Sequence, residues 1–403
     1  MIMPELLSPA GDLARLKVAF SYGADAVYVG GRFLSMRAKA RNFSHEDMAE
    51  GVRYAHGIGK KVYVAVNICA HNDDFDRLDE YLLWLEEIAA DAVLVSDIGV
   101  FSRARAILKN TEIHISTQAN VTNYAAAAVW AELGAKRIVL ARELSLAEIA
   151  EIHAKTPALE LEAFVHGAMC MAYSGRCLIS NYLNARDANR GECSQPCRFS
   201  YALVEEKSGE AFPVHQDDCG TYILNSKDLN MISHIPDLIS AGVSSLKIEG
   251  RMKTEYYVGA VTKIYRQALN DYAHDPALYT SNIPHYQSEL HKVGSRGYTT
   301  GFFHGKMTAG DHDYKGENQV TVQDFLAMVY SYENDHAHIE QRNKFQVGDK
   351  IEILRTTGKN FTQTVEKMYN EDGEEITTAP HPKQKIKLKV DHPIAMYDMI
   401  RKA

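Results

Sequence analysis

The chain of 403 residues is short of the features that mark several large protein classes. Six cysteines are too few to staple a secreted scaffold with disulfides. No uncharged apolar run approaches the ~18 residues that a membrane-spanning helix needs. The opening stretch, MIMPELLSPAGDLARL, lacks the basic-then-apolar layout of a secretory signal. The expected compartment is therefore the cytoplasm, with no membrane partner. Local hydrolase and nucleotide signatures are missing too: there is no G-x-S-x-G elbow, no H-E-x-x-H helix and no P-loop. His45-Glu46 opens a helical pattern but has no second histidine. There is no excess of positive charge either. Lys+Arg 44 against Asp+Glu 52 leaves a net -8, which argues against wholesale coating by nucleic acid but not against a local basic surface.

What is present is an alternation. Near-continuous apolar runs at Pro4–Ser8, Asp25–Gly30, Lys61–Asn67, Ala92–Asp97, Glu112–Gln118, Arg137–Arg142, Leu161–Gly167 and Ser244–Gly250 read as strands buried on both faces of a parallel sheet. Amphipathic helical stretches lie between them. The clearest is Asp73–Ala90, with Phe75, Leu78, Leu82, Leu85 and Ile88 on one face. Four helix-to-strand junctions read alike: Gly23-Ala24-Asp25, Ala89-Ala90-Asp91, Gly134-Ala135-Lys136 and Gly242-Val243-Ser244. Glycine in three of them suits the left-handed residue that ends a helix. Eight strand–helix units predict an α/β fold, a (β/α)8 TIM-like barrel over residues 1–272. A doubly wound open sheet is the alternative, but no Gly-rich dinucleotide turn follows an early strand.

In such a barrel, chemistry sits where strands lead into the loops that follow them. The polar residues at those ends are Ser8, Asn67, Ser96, Asp97, Gln118, Asn120, Arg142, Glu143, His166, Lys247, Glu249 and Arg251. Any one of them reads equally as a helix cap or a satisfied loop residue. Converging on one rim, they read as an active site. The alternation breaks once, in an insertion over residues 168–243, far longer than an ordinary βα loop of ~2–6 residues.

That insertion carries Cys170-x6-Cys177-x15-Cys193-x3-Cys197. Four thiolates can hold a tetrahedral zinc or an iron–sulfur cluster. Only the second pair has the two-to-four-residue spacing of a zinc knuckle, and the six-residue gap suits a larger cluster. Gly167, Gly175 and Gly191 permit close backbone approach, and Pro196 fixes a turn. Inert buried thiols are the third reading. Cys219 is a reserve ligand, and Cys69 is a core or rim thiol. His166, four residues before Cys170, also admits a cysteine nucleophile with a histidine base, though one nucleophile leaves three cysteines unexplained.

A connector at residues 273–320 leads to a small antiparallel β domain at 321–403, with turn signals at Gly348-Asp349 and Glu371-Asp372-Gly373. From Arg342 onward, 12 Lys/Arg stand against 9 Asp/Glu, so this stretch of the domain is mildly basic. In Lys383–Val390 the two-residue period puts Lys383, Lys385, Lys387 and Lys389 on one face. That stripe reads either as an edge strand guarded against aggregation or as a surface that follows nucleic-acid phosphates.

Longer motifs resemble a known family. Glu162-Ala163-Phe164-Val165-His166-Gly167-Ala168-Met169-Cys170, followed by Tyr173-Ser174-Gly175-Arg176-Cys177-Leu178-Ile179-Ser180, resembles the signature of the peptidase U32 family, often called collagenase-like proteases. Glu5–Gly11, Gly23–Tyr28, Asn225–Leu229 and Ser245–Arg251 match as well, so the resemblance runs from the first strand to the connector. The small C-terminal domain looks like the family's accessory barrel. Within the family the chain is most similar to the tRNA hydroxylation branch, through His166–Arg198 and its ending Cys193-Ser194-Gln195-Pro196-Cys197-Arg198. That likeness implies an enzyme that converts wobble uridine in tRNA to 5-hydroxyuridine without oxygen. It implies a 4Fe–4S cluster on Cys170, Cys177, Cys193 and Cys197, a link to prephenate, and a partner protein of the same family. A prephenate-like dicarboxylate would need cations, which Arg37, Arg41, Arg142, Lys247 and Arg251 could supply, with Asn67 and Gln118 as further rim donors. His166, Glu249 and Lys247 are the candidates for catalysis, His166 because imidazole changes charge near neutral pH. The alternatives are a collagenase-like peptidase and a non-enzymatic RNA-binding protein with a structural metal site.

Overall fold

The computed structural model describes residues 3–36, 42–170, 172–198, 202–204, 211–213, 226–311 and 324–403. Strands β1 (Glu5–Pro9), β2 (Ala26–Gly30), β3 (Lys61–Val66), β4 (Ala92–Val95), β5 (Glu112–Ile115), β6 (Arg137–Val139) and β7 (Glu160–Ala168) pair in parallel, each with the next. In the insertion, β8 (Ala202–Val204) and β9 (Ala211–Pro213) form a hairpin, and β10 (Asp228–Asn230) runs antiparallel to the end of β7. Strand β11 (Val243–Ile248) then pairs with both β1 and β7 and closes an eight-stranded barrel. The expected (β/α)8 architecture is what forms, and the open sheet is not.

Helices α1 (Leu13–Ser21), α2 (His45–Gly57), α3 (Leu78–Glu87), α4 (Ile98–Ile107), α5 (Tyr124–Leu133) and α6 (Leu146–Lys155) alternate with the strands. Asp12, Ser44, Asp97, Asn123 and Ser145 cap their N-termini by accepting from backbone amides. The repeated junction has a conformational cause. Gly23, Gly134 and Gly242 hold φ of +100°, +105° and +88°, and Ala89 takes φ +59° at the fourth junction. Several expected strands ran too far. Ser96 and Asp97 have left the sheet so that Asp97 can cap α4, and Thr117–Ala119 form a tight helical turn. The expected helix from Asp73 begins as such a turn, Asn72–Arg77, because the Asp74 carboxylate accepts from the His71 amide at 2.7 Å.

The connector differs most from its expectation. After α7 (Ile179–Asn184) and α8 (Ile235–Ser240) in the insertion, α9 (Glu255–His274) is followed at once by α10 (Pro276–His291). Helix α10 packs on α9 by burying Tyr279, Tyr286 and Leu290. Their seven- and four-residue spacing is helical, but Pro284 and the many polar residues between them mask it. Strand β12 (Tyr298–Thr299) then joins β10.

The C-terminal domain contains β13 (Phe325–Glu333), β14 (His336–Gln341), β15 (Phe345–Gln346), β16 (Lys350–Leu354), β17 (Phe361–Thr364), β18 (Met368–Tyr369), β19 (Glu375–Ile376), β20 (Thr378–Ala379), β21 (Lys385–Lys389) and β22 (Met399–Lys402). Eight of these make an antiparallel sheet in the order β17-β16-β22-β13-β14-β21-β18-β19 around their own apolar core. Arg401, fully buried, ties this sheet to the barrel helices through Glu289 at 2.7 Å and Tyr256 at 3.3 Å.

The barrel interior is charged rather than purely aliphatic. At the N-terminal ends of the strands, the Arg137 guanidinium meets Glu5 at 2.6 Å, Glu160 at 2.7 Å and Glu162 at 3.1 Å. Glu162, with no exposed surface, also accepts from Lys247 Nζ at 2.7 Å. Burial pushes the Glu162 carboxyl up, but Lys247 and Arg137 outweigh it and hold the group at about 2. Two predictions follow from this network. Arg137→Met strands three carboxylates and should cost about 3–5 kcal/mol in urea unfolding. Because the folded pKa of Glu162 lies below its ordinary value, its contribution should be complete above about pH 4.5 and drain away as pH falls towards 2. Glu162→Gln should remove that slope from the pH dependence of the unfolding midpoint.

Candidate active site

The strand ends and the insertion enclose a cavity of about 160 Å³. The barrel supplies Tyr28, Asn67, Gln118, Arg142, Lys247, Glu249 and Arg251 to its lining, and the insertion supplies Cys170, Cys177, Cys193 and Cys197. Two groups of residues far apart in the chain thus face one space.

The polar groups are held in place. Asn67 donates to Ser116 Oγ at 3.0 Å and accepts from the Met36 amide at 3.3 Å. Arg142 donates to the Ala168 carbonyl at 2.8 Å, stacks 3.9 Å from the Phe164 ring and lies 3.6 Å from the Glu249 carboxylate. Arg251 donates to Ser35 Oγ at 2.8 Å. The Lys247 ammonium sits 4.5 Å from the centre of the Tyr28 ring and is anchored from below by Glu162. Two buried atoms in the lining, Gln118 Oε1 and Arg142 Nε, lack a hydrogen-bond partner; buried polar groups of this kind are normally satisfied, so both are available to a bound molecule. Three cations against one carboxylate make the lining attractive to anions.

None of the four insertion cysteines is joined in a disulfide. A single tetrahedral zinc, with Zn–S near 2.3 Å, needs its sulfurs about 3.8 Å apart. Among the described residues no three of these sulfurs come within 4.8 Å of one another, so they are not gathered at single-ion spacing. The Gln195 amide donates to Cys193 Sγ at 3.3 Å. Burial pushes the Cys170 thiol up, while the Ala172 amide and Arg142 act against it. The glycines are needed here. Gly175 has φ +82°, and a Cβ on it would stand 2.9 Å from Gln118 Nε2.

The other candidates lie elsewhere or outside the described residues. His166 does not line the cavity. It is buried within a cage of Tyr257, Tyr265 and Tyr298, its Nδ1 3.5 Å from the Tyr265 hydroxyl. Burial disfavours the imidazolium and lowers its pKa to about 3, so the expected change of charge near neutral pH does not occur. No histidine lines the cavity among the described residues, which removes the cysteine–histidine dyad. Arg37, Arg41 and Cys219 fall outside the described residues. Cys69 braces the insertion by its backbone, its amide donating to the Asn189 carbonyl at 3.0 Å. Tyr28, Phe164 and Glu162 were not anticipated. The two-residue strand period, stepping back from His166 to Phe164 and Glu162, was the signal for two of them.

On the C-terminal domain, Lys385, Lys387 and Lys389 share the outer face of β21, whereas Lys383 sits in the preceding turn with φ +63°. Strand β21 lies between β14 and β18, so it is not an edge strand and the aggregation-guard reading fails. Lys385 and Lys389 approach Glu371 and Glu366 at 3.4 and 3.1 Å in exposed pairs. Lys387 stands in register with His338 and Tyr369.

Comparison with known proteins identifies the lineage. Residues 11–313 match "Peptidase family U32" and residues 321–401 match "Peptidase family U32 C-terminal domain". The chain belongs to the U32 family. It is 41% identical over 401 residues to tRNA hydroxylation protein P1 of Bacillus subtilis, covering 99% of this chain and 94% of that one. It is 38% identical over 424 residues to tRNA hydroxylation protein P of Escherichia coli, with coverage of 94% and 92%. A protein of Methanocaldococcus jannaschii named as an uncharacterized protease is 41% identical over 369 residues, with coverage of 89% and 88%. These relatives make the chain an enzyme, while their names divide between two chemistries. For the U32 signature histidine, His166, the burial predicts imidazole NMR signals that stay put from pH 5 to 8. A midpoint inside that range would mean that water reaches the ring.

Proposed function

We propose that this chain hydroxylates RNA, and within RNA the wobble uridine of tRNA, producing 5-hydroxyuridine. The observation that carries the reading is the single cavity in which four widely spaced thiols face three cations with no histidine among the described lining residues. The names of the Bacillus and Escherichia relatives support it. Peptide hydrolysis finds no nucleophile–histidine pair in that lining, and at equal identity the protease name carries no more weight than the hydroxylation name.

In this reading Cys170, Cys177, Cys193 and Cys197 hold a 4Fe–4S cluster. Such a cluster, with a thiolate on each iron, would supply electron transfer at the cavity wall. Arg142, Arg251 and Lys247 bind the carboxylates of a small dicarboxylate such as prephenate, Arg142 and Arg251 through planar donor pairs. Lys247 is anchored for this by its contact with Glu162. Glu249, facing the cavity beside Arg142, is placed to take or give a proton. The Lys385–Lys389 face follows the tRNA backbone.

Protein purified without oxygen should be brown and hold about four irons per chain. Cys177→Ser should lose both iron and colour, whereas a colourless protein with one zinc overturns the cluster. Deleting the gene should remove 5-hydroxyuridine from tRNA nucleosides measured by mass spectrometry, provided no second enzyme makes it. Unchanged levels in a strain without such a second route defeat the proposal. Replacing Lys385, Lys387 and Lys389 with Gln should weaken tRNA binding and lower the slope of log affinity against log salt by roughly one per lost phosphate contact.

A further inference from the structure

Helix α7 follows Cys177 by one residue and is unusual for its exposed apolar side chains. Tyr182 is 88% exposed and Leu178 71%, and Tyr173, Leu183 and Ile179 are exposed as well. These are five of the sixteen large apolar side chains exposed in the described residues, and they fall within eleven positions of the chain. A concentration of this kind marks a contact surface. It adjoins the cavity, since Ala172, Ser174, Gly175 and Cys177, the chain neighbours of Tyr173 and Leu178, all line it.

The surface is also held firmly. Ser180 Oγ lies 3.0 Å from Ser194 Oγ, Asn184 donates to Ser194 Oγ at 2.9 Å, and Arg186 donates to the Glu192 carbonyl at 2.9 Å. The helix is thereby clamped to the segment that carries Cys193. Its charge is telling in an acidic protein. From Tyr173 to Arg190 there are three arginines, of which Arg190 is paired with Asp74 at 2.7 Å, and one carboxylate, Asp187, which is engaged in capping the turn at Asn189. Tyrosines, asparagines and arginines without free acid suit bases and phosphates, because aromatic rings stack on any base and a polyanion is not repelled.

Resting on the tRNA reading above, we propose that Tyr173 and the α7 surface around Tyr182 form a stacking platform for the unpaired nucleotides that flank the target base. Modification of a single base requires that base to be drawn out of its stack. Its neighbours then lose their stacking partner, and exposed tyrosines at the mouth replace it. The platform would also favour loops over helical stems without reading sequence.

The test is fluorescence anisotropy of the intact, cluster-loaded protein with an anticodon stem-loop RNA, and with a fully paired hairpin as control. Tyr182→Ala and Tyr173→Ala should each weaken stem-loop binding by roughly 5- to 100-fold, with little change for the hairpin. Tyr182→Phe should bind like wild type, because stacking needs the ring and not the hydroxyl. The salt dependence should stay unchanged in all three, unlike that of the lysine variants. If wild type binds the stem-loop and both alanine variants bind it equally well, the platform falls while the tRNA reading stands. If wild type binds no tRNA or stem-loop, both fall. If wild type is a dimer that Tyr182→Ala converts to monomer with RNA binding intact, the patch is a self-association surface and the proposal is overturned.

Discussion

The carboxylate of Glu162, shared between Arg137 and Lys247 inside the barrel, is the interaction on which the rest of the site depends. A charged group with no access to water is sustained only by close partners of opposite sign. Here those partners point in opposite directions along the barrel. Arg137 ties Glu162 to Glu5 and Glu160 at the N-terminal ends of the strands, while Lys247 carries its charge up to the cavity floor. One buried ion cluster therefore braces the barrel and sets the electrostatics of the site.

Above that floor the insertion completes what the barrel begins. A barrel rim alone would present Arg142, Arg251 and Glu249 to open water, where each pair of charges is worth little. The insertion covers them, and its thiols face the cationic wall across the cavity. The same segment turns its apolar residues outwards on α7, beside the mouth. A single excursion from the fold thus supplies four thiols, a cover over the cations and an exposed apolar surface. The C-terminal domain is locked against α9 and α10 through buried Arg401, so its lysine face has a defined position relative to the barrel.

Much of this was legible in the linear chain. Parallel strands buried on both faces must be continuously apolar, and left-handed helix ends need glycine or a tolerated substitute, so the eight-fold repeat and the barrel follow from local pattern. The four cysteines stood out because their spacing lies inside the one break in that repeat, and the lysine stripe because β-strands alternate with period two. Sequence by itself thus determined the architecture, the cysteine constellation and the residues at the rim, since each is written in the local pattern of the chain.

Tertiary structure decided which rim residues share a space. Gln118, Arg142 and Arg251 turn into the cavity, whereas His166, in the most recognisable motif of the chain, turns into a tyrosine cage and loses its titration near neutral pH. Strand alternation hints at such a division but cannot settle it, because a residue just past a strand end is free to face either way until its neighbours pack. The charge state of Glu162 was likewise invisible, as Arg137 and Lys247 lie 25 and 85 residues away. Packing distant charges into a space that excludes water, rather than any local preference of the chain, made a reactive pocket out of a common barrel.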